Sequence, residues 1–305
     1  MTSLAILGPG GVGAFLGAAL ARAGRDVVLI ARERTADAIN RDGIEVDSAR
    51  LGPFSAHPAA ATTLSTPADA LVVATKAKDL GVALERVEEE PHLVVPLLNG
   101  LDHLHLLRER FGPRAVAASI RIEAYRTDPC HVRQTSNFLR VDLATENPRM
   151  RAAVDAFAAT LNEAQVPARV IESEAQAMWG KLVRLNALAL MTSAYDRPLG
   201  PIRATPELRG GLEACVEEAA AVANADGAEV KPRAVMGELD DAHDTLGSSM
   251  QRDIAAGVEP ELDAIAGSVL RAAARHGLAC PTIERLAARV AERAGTRLPA
   301  AAPRY

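Results

Sequence analysis

Aromatic residues are scarce in this 305-residue chain, at 3%, and no run of basic residues offsets a formal net charge of −5. A base-stacking platform needs the former and a phosphate-tracking face the latter, so the composition argues against a nucleic-acid partner and favours a small molecule. Only three cysteines occur, Cys130, Cys215 and Cys280, far apart and without C-x-x-C or histidine spacing. Neither a disulfide framework nor a metal site is expected from them, and a reducing cytoplasm suits them. Long apolar runs are also rare. The exception, Leu4 to Ala21, is uncharged for eighteen residues, and Ala19-Leu20-Ala21 mimics a signal-peptidase site. It lacks a basic segment ahead of it, and it carries five glycines and Pro9. Each glycine inside a helix costs about 1 kcal/mol against alanine, so no membrane association is expected.

What is present is an ordinary globular composition, 49% apolar and 24% charged. Single cores seldom grow beyond about 250 to 300 residues, so two domains are expected. The first opens with a short apolar strand, Leu4 to Leu7, followed by Gly8-Pro9-Gly10-Gly11-Val12-Gly13 and a helical pattern from Gly11 to Ala23 that stops at Gly24. Gly8, Gly10 and Gly13 spell G-x-G-x-x-G on a strand-to-helix turn. In a dinucleotide fold the first permits the tight turn, the second lets a pyrophosphate touch the backbone, and the third lets the helix lie against the strand. Helix N-terminal amides then face the phosphates. A second strand, Asp26 to Ala31, completes the βαβ context, and Arg32 follows it directly. A guanidinium at that point suits a phosphorylated ribose through its planar fork of donors, so NADP(H) is the expected cofactor; Glu33 next to it is the residue that would favour NAD.

Ala70–Thr75 and Leu93–Leu98 are continuous apolar strands of the kind buried on both faces of a parallel sheet. Ligands of open α/β sheets collect beyond the carboxyl ends of such strands, which singles out Lys76 and Asn99. Between Ala115 and Ala144, "CHVRQTS" and "FLRVDLA" read as a hairpin extending the sheet. A helix over Pro148–Gln165 and a strand over Ala168–Ile171 close the domain. Beyond Glu172 strand signals stop, and helical stretches punctuated by Gly200-Pro201, Lys231-Pro232 and Cys280-Pro281 follow. The expected architecture is therefore α/β, a Rossmann-type dinucleotide-binding domain over 1–172 and a mostly α-helical substrate and catalytic domain over 173–305, with Arg297 to Tyr305 as a loose tail.

Five ordered motifs add a resemblance: GPGGVG at the start, ATKAKD at 74–79, LLNGLDHL at 97–104, WGKL at 179–182, and SSMQRDI at 248–254 with its EPELD sequel. Over nearly its whole length the chain resembles the ketopantoate reductases (2-dehydropantoate 2-reductases). The resemblance implies reduction of a 2-keto acid by NADPH, as in pantothenate biosynthesis. It assigns a catalytic lysine to Lys181, a cofactor-contacting lysine to Lys76, an active-site asparagine to Asn99, a substrate serine to Ser249 and a second-domain glutamate to Glu261, with Ala124 near a further backbone contact to the cofactor. The partner is a small-molecule 2-keto acid, and a homodimer is admitted as the assembly. Hydride addition to a ketone leaves an alkoxide, and an ammonium in a partly desolvated cleft supplies both the proton and the countercharge.

Two stretches carry a second reading. Glu259-Pro260-Glu261 also fits the acidic first turn of a helix with proline at N1. Ser248-Ser249-Met250-Gln251 fits a capping box, with Ser248 the cap and Ser249 at N1, where a hydroxyl beside free amides suits a carboxylate. The family's substrate-gripping asparagines, four and eight positions after the lysine, are replaced here by Leu185 and Ala189. Asn186, the nearest amide, is grouped with Asn99, Lys181, Leu185 and Ser249 as a substrate residue, although five positions along a helix is about 140° from Lys181, against about 40° for Leu185. The face shared with Lys181 reads Leu185, Leu188 and Thr192, with Arg184 at its edge, which points to a keto acid with a more apolar tail than ketopantoate. An opine-type dehydrogenase on the same architecture would need an amine co-substrate, and an NADPH-binding sensor would turn nothing over.

Overall fold

The computed structural model of the chain describes residues 3–302. It divides into two units, one comprising the chain up to Leu98 with His103–Ala177, the other Asn99–Asp102 with the chain from Met178 on. The elements of the first unit are β1 (Ser3–Leu7), α1 (Gly11–Arg22), β2 (Asp26–Ile30), α2 (Glu33–Asp42), β3 (Ile44–Ser48), β4 (Phe54–Ala56), β5 (Ala59–Ala61), β6 (Ala70–Val73), α3 (Leu80–Leu84), β7 (Val94–Pro96), α4 (His103–Phe111), β8 (Ala117–Arg121), β9 (Ala124–Asp128), β10 (His131–Gln134), β11 (Arg140–Ala144), α5 (Arg151–Glu163) and β12 (Ala168–Ile171).

β1, β2, β5, β6 and β7 form one wholly parallel sheet in the order β5-β2-β1-β6-β7. The reversal of strand order beside β1 is the switch point at which such folds bind nucleotides. β6 and β7 are buried throughout, as their unbroken apolar sequence requires. A second sheet, β4-β3-β10-β9, alternates buried and exposed residues along β3 and β10, so one face is covered and the other wet. α1 packs against strands of both sheets. This accounts for the apolar run that opens the chain: every residue from Gly13 to Leu20 is buried, and a helix apolar all round must be.

The expected hairpin is not formed. "CHVRQTS" becomes β10, paired antiparallel with β9 and parallel with β3, whereas "FLRVDLA" becomes β11, paired with β8 and β12 in a separate three-stranded sheet. The tight turn lies one strand earlier, where Asp128 Oδ1 accepts the Cys130 amide at 2.9 Å and folds β9 onto β10.

Among the described residues no strand follows β12. The second unit contains most of α6 (Glu174–Tyr195), then α7 (Leu199–Ala204), α8 (Pro206–Ala225), α9 (Pro232–Asp240), α10 (Ser249–Ala255), a π-helical turn over Asp263–Gly267, α11 (Ser268–Arg275) and α12 (Pro281–Ala294). Pro232 and Pro281 open their helices, where the missing amide costs nothing. The tail is not loose up to Ala300, whose amide donates to Asp263 Oδ1 at 2.9 Å and whose carbonyl accepts from Arg271 at 2.7 Å; Pro303, Arg304 and Tyr305 lie outside the described residues. No helix among the described residues is long and apolar enough to cross a membrane.

Candidate active site

The turn after β1 gives each glycine a different surrounding. Gly8 has a φ of +91°, which side-chain-bearing residues rarely adopt, and a Cβ there would stand 2.7 Å from Thr75 Cγ2. A Cβ on Gly13 would stand 2.2 Å from the Gly8 carbonyl oxygen, so this glycine sets how closely α1 lies on β1. Gly11 presses on β9, 2.3 Å from the Ala124 oxygen by the same measure, which brings Ala124 beside the turn. Arg126 holds the far side by donating to the Pro9 carbonyl at 2.9 Å. Gly10 differs. It is exposed, and a Cβ on it would find nothing nearer than the Ala74 oxygen at 3.9 Å, so no packing demand in the chain explains the bare backbone. The residues fit a dinucleotide: Gly10 leaves open the cradle into which a phosphate fits, at the head of α1. Arg32 caps α2 with extended backbone and is exposed, as is Glu33. Lys76 is half-buried just beyond β6, at the start of a short 3₁₀ turn.

In the second unit a chain of three side chains is formed. Lys181 Nζ donates to Asn99 Oδ1 at 2.8 Å, and Asn99 Nδ2 donates to Glu261 Oε2 at 3.0 Å. All three are half-buried. The amide is thereby oriented, its carbonyl toward the cation and its amino group toward the anion, so Glu261 and Lys181 are linked through a neutral relay. Lys181 sits one turn into the part of α6 that belongs to this unit, and buried Trp179 braces that turn by donating to Asp226 Oδ2 at 2.8 Å. Burial alone would push the Asp226 carboxyl up; hydrogen bonds from His276 and Trp179 and the charge of Arg275 hold it below the usual carboxylate range. Glu261 precedes the helical turn rather than opening it, so the N1-proline reading of Glu259-Pro260-Glu261 does not hold. The helix starts a residue later, and the π-helical turn that follows is stitched by Ser268 Oγ donating to the Ala264 carbonyl at 2.6 Å.

Ser248 caps α10, its Oγ accepting the Gln251 amide at 3.1 Å, and exposed Ser249 follows at the first helical position. Gln251 does not return to the cap; its side chain donates to Asp196 Oδ1 at 3.2 Å, so the box is half-formed.

Two family models match, "Ketopantoate reductase PanE/ApbA" over residues 4–144 and "Ketopantoate reductase PanE/ApbA C terminal" over residues 175–294. A 2-dehydropantoate 2-reductase of Caulobacter vibrioides is 30% identical over 291 residues, 92% of this chain and 94% of that protein. The chain belongs to the ketopantoate reductase family. Among solved structures, 2-dehydropantoate 2-reductase from Geobacter metallireducens has a TM-score of 0.87 at 27% identity, covering 95% of this chain and 99% of that one. D-mandelate dehydrogenase, solved with NADH and anilino(oxo)acetate, has a TM-score of 0.86 at 19% identity, over 96% of this chain and 98% of that one, a likeness of fold. As a ketopantoate reductase family member the chain is an oxidoreductase using a nicotinamide dinucleotide.

The face of α6 that carries Lys181 is apolar beyond the lysine. Leu185 is half-buried one turn on, Leu188 is buried, and Ala189 is fully buried. Thr192 offers no free hydroxyl to a ligand: it is buried, bonded to the Leu188 carbonyl at 2.8 Å and to Ser248 Oγ at 2.8 Å. Arg184 lies 3.7 Å from Glu238 at the edge. Asn186, grouped with the substrate residues on sequence, does not belong there. It has no exposed surface, and its amide points to Cys215 Sγ on α8 at 3.6 Å, as the helical angle requires. Sequence reasoning missed the partners of the 99–102 loop, Asp102 and Arg271; the aspartate sat inside a quoted motif, but nothing in its spacing linked it to a residue 169 positions away.

Proposed function

We propose that this chain reduces a 2-keto acid to the 2-hydroxy acid with NADPH, and that its substrate carries a more apolar tail than ketopantoate. The observation that carries the reading is the Lys181–Asn99–Glu261 chain, an ammonium held by a neutral amide that a carboxylate orients. The turn from Gly8 to Gly13, with Pro9, Gly11 and Val12 between, receives the pyrophosphate at Gly10, and Ala124, Lys76, Asn99 and Glu261 complete the cofactor contacts. The bound cofactor supplies the hydride that reaches the carbonyl carbon. Lys181 Nζ gives its proton to the oxygen as negative charge develops there, which balances the reaction as one hydride and one proton added across the C=O bond. Asn99 fixes the ammonium's direction, Glu261 fixes the amide, and Ser249 offers its hydroxyl to the substrate carboxylate.

NADP over NAD is argued from Arg32, whose exposed guanidinium at the head of α2 fits a ribose phosphate. The apolar tail is argued from Leu185 and Leu188, which leave the face of α6 beyond Lys181 without a side-chain amide to grip hydroxyls. The test is a panel of 2-keto acids assayed with NADPH and with NADH, for the parent and for Lys181→Ala. The reading expects turnover with NADPH, highest for apolar keto acids, and its loss in the variant. Ketopantoate outpacing every apolar keto acid would remove the tail assignment, and a Lys181→Ala enzyme as fast as the parent would remove the lysine.

A further inference from the structure

Arg271, on α11, gathers three segments of the second unit around one buried cation. Its Nη2 donates to Asp102 Oδ2 at 2.8 Å and to the Asp263 carbonyl at 3.0 Å. Its Nη1 donates to Asp263 Oδ1 at 3.2 Å and to the Ala300 carbonyl at 2.7 Å. The side chain is 8% exposed, so its two Nη groups rely on these bonds in place of water, while its Nε is buried without a hydrogen-bond partner. Asp102 lies three residues after Asn99, and Asp263 lies two after Glu261. The two anchored segments also touch directly: Gly100, at φ +87°, lies so close that a Cβ would stand 2.1 Å from the Ala264 oxygen. Room for the guanidinium comes from Gly267, where a Cβ would stand 2.8 Å from Arg271 Nη1.

We propose that Arg271 is a positioning residue of the reductase site: by clamping Asp102 to Asp263 it sets the register of Asn99 on Glu261, and hence the acceptor presented to Lys181. It touches no reacting atom. Without the guanidinium, Asp102 and Asp263 lose the cation that joins them, and the segments that carry the relay are no longer held in register. The inference rests on the functional reading for its kinetic arm only.

The experiment compares the parent with Arg271→Met, Arg271→Lys and Asp102→Asn at a temperature well below the melting point of each. Two quantities are read: kcat with NADPH and a 2-keto acid, and the rate at which an amine-reactive reagent labels Lys181 at fixed pH, followed by peptide mass spectrometry. Arg271→Met is expected to lower kcat ten- to a hundredfold, the range a misplacement of about 1 Å produces, and to speed Lys181 labelling several-fold. Arg271→Lys should recover part of both, because one cation remains between the carboxylates. If Arg271→Met does not fold, Asp102→Asn, which keeps an oxygen acceptor, must show the same two changes to a smaller extent. A folded variant with a lower melting point but parental kcat and parental labelling overturns the proposal. If the parent turns over no 2-keto acid, the functional reading fails, and the labelling rates still decide for or against Arg271.

Discussion

Replacing Gly10 or Gly13 with alanine adds the same methyl group to the same turn, three residues apart, and the two changes are expected to do opposite things. On Gly13 the new Cβ meets the Gly8 carbonyl oxygen at 2.2 Å, well inside the 3.0 Å that real contacts respect, and the oxygen belongs to backbone that cannot swing aside. α1 must move off β1, an overpacking that costs about 1 to 3 kcal/mol. In a unit the size of the first, that lowers the melting temperature by about 2 to 4 °C per kcal/mol. On Gly10 nothing lies within 3.9 Å and φ is −73°, which alanine adopts freely, so stability should stay within about 0.5 kcal/mol of the parent. The methyl does, however, fill the gap through which a pyrophosphate would reach the backbone, and NADPH affinity should fall at least about tenfold, or roughly 1.4 kcal/mol. Thermal melts without nucleotide separate the two variants, and fluorescence titration with NADPH measures the affinity. A Gly10→Ala protein that binds NADPH like the parent refutes the cradle, and one that melts as low as Gly13→Ala shows that Gly10 is there for packing.

Leu185→Asn returns an amide to the Lys181 face, and kcat/KM for ketopantoate relative to an apolar keto acid should rise about tenfold or more; an unchanged ratio argues that this face does not touch the tail. Asn186→Leu removes a buried amide whose Oδ1 has no hydrogen-bond partner, so the melting temperature should hold or rise while kcat/KM stays parental; a large loss of activity would return Asn186 to the substrate set. The Cys280 thiol is pushed up by burial, with the charges of Glu218 and Glu284 adding to it, from 9.0 to about 11. The unfolded thiol therefore ionises first, and stability present below pH 9 is lost as pH rises toward 11, by about 1.4 kcal/mol per pH unit for this group. Urea unfolding at two alkaline pH values should show a shallower loss for Cys280→Ser, and identical slopes would refute the assignment.

The parts of the fold and site that could be read in the sequence are those whose physical cause is local. The glycine turn is legible because φ and close approach restrict single residues, and the Ser248 cap because it reaches only three positions. Lys76 and Asn99 are legible through their place beyond apolar strands, and Lys181 through the resemblance alone. What was misread depends on distant partners. "FLRVDLA" is a good strand in either sheet, and only α5 and β12, later in the chain, decide for β8 and β12 as its neighbours. The tail reads as loose because its anchors are backbone groups of Ala300, which no side-chain pattern records. Nothing in the sequence marks Arg271, since burial of a guanidinium is visible only with its acceptors.

The position of α1 between two sheets bears on how the protein is made. One wall is built from strands ending at β7, but the other needs β9 and β10, which close at Gln134. During synthesis the helix leaves the ribosome early, apolar on all sides, and more than a hundred further residues must follow before its second wall exists. Until then the nascent chain carries an uncovered apolar cylinder near its beginning, the kind of exposed surface that aggregates unless a chaperone covers it. Slow translation through β3–β9 should therefore lower soluble yield far more than the same delay placed in the helical second unit.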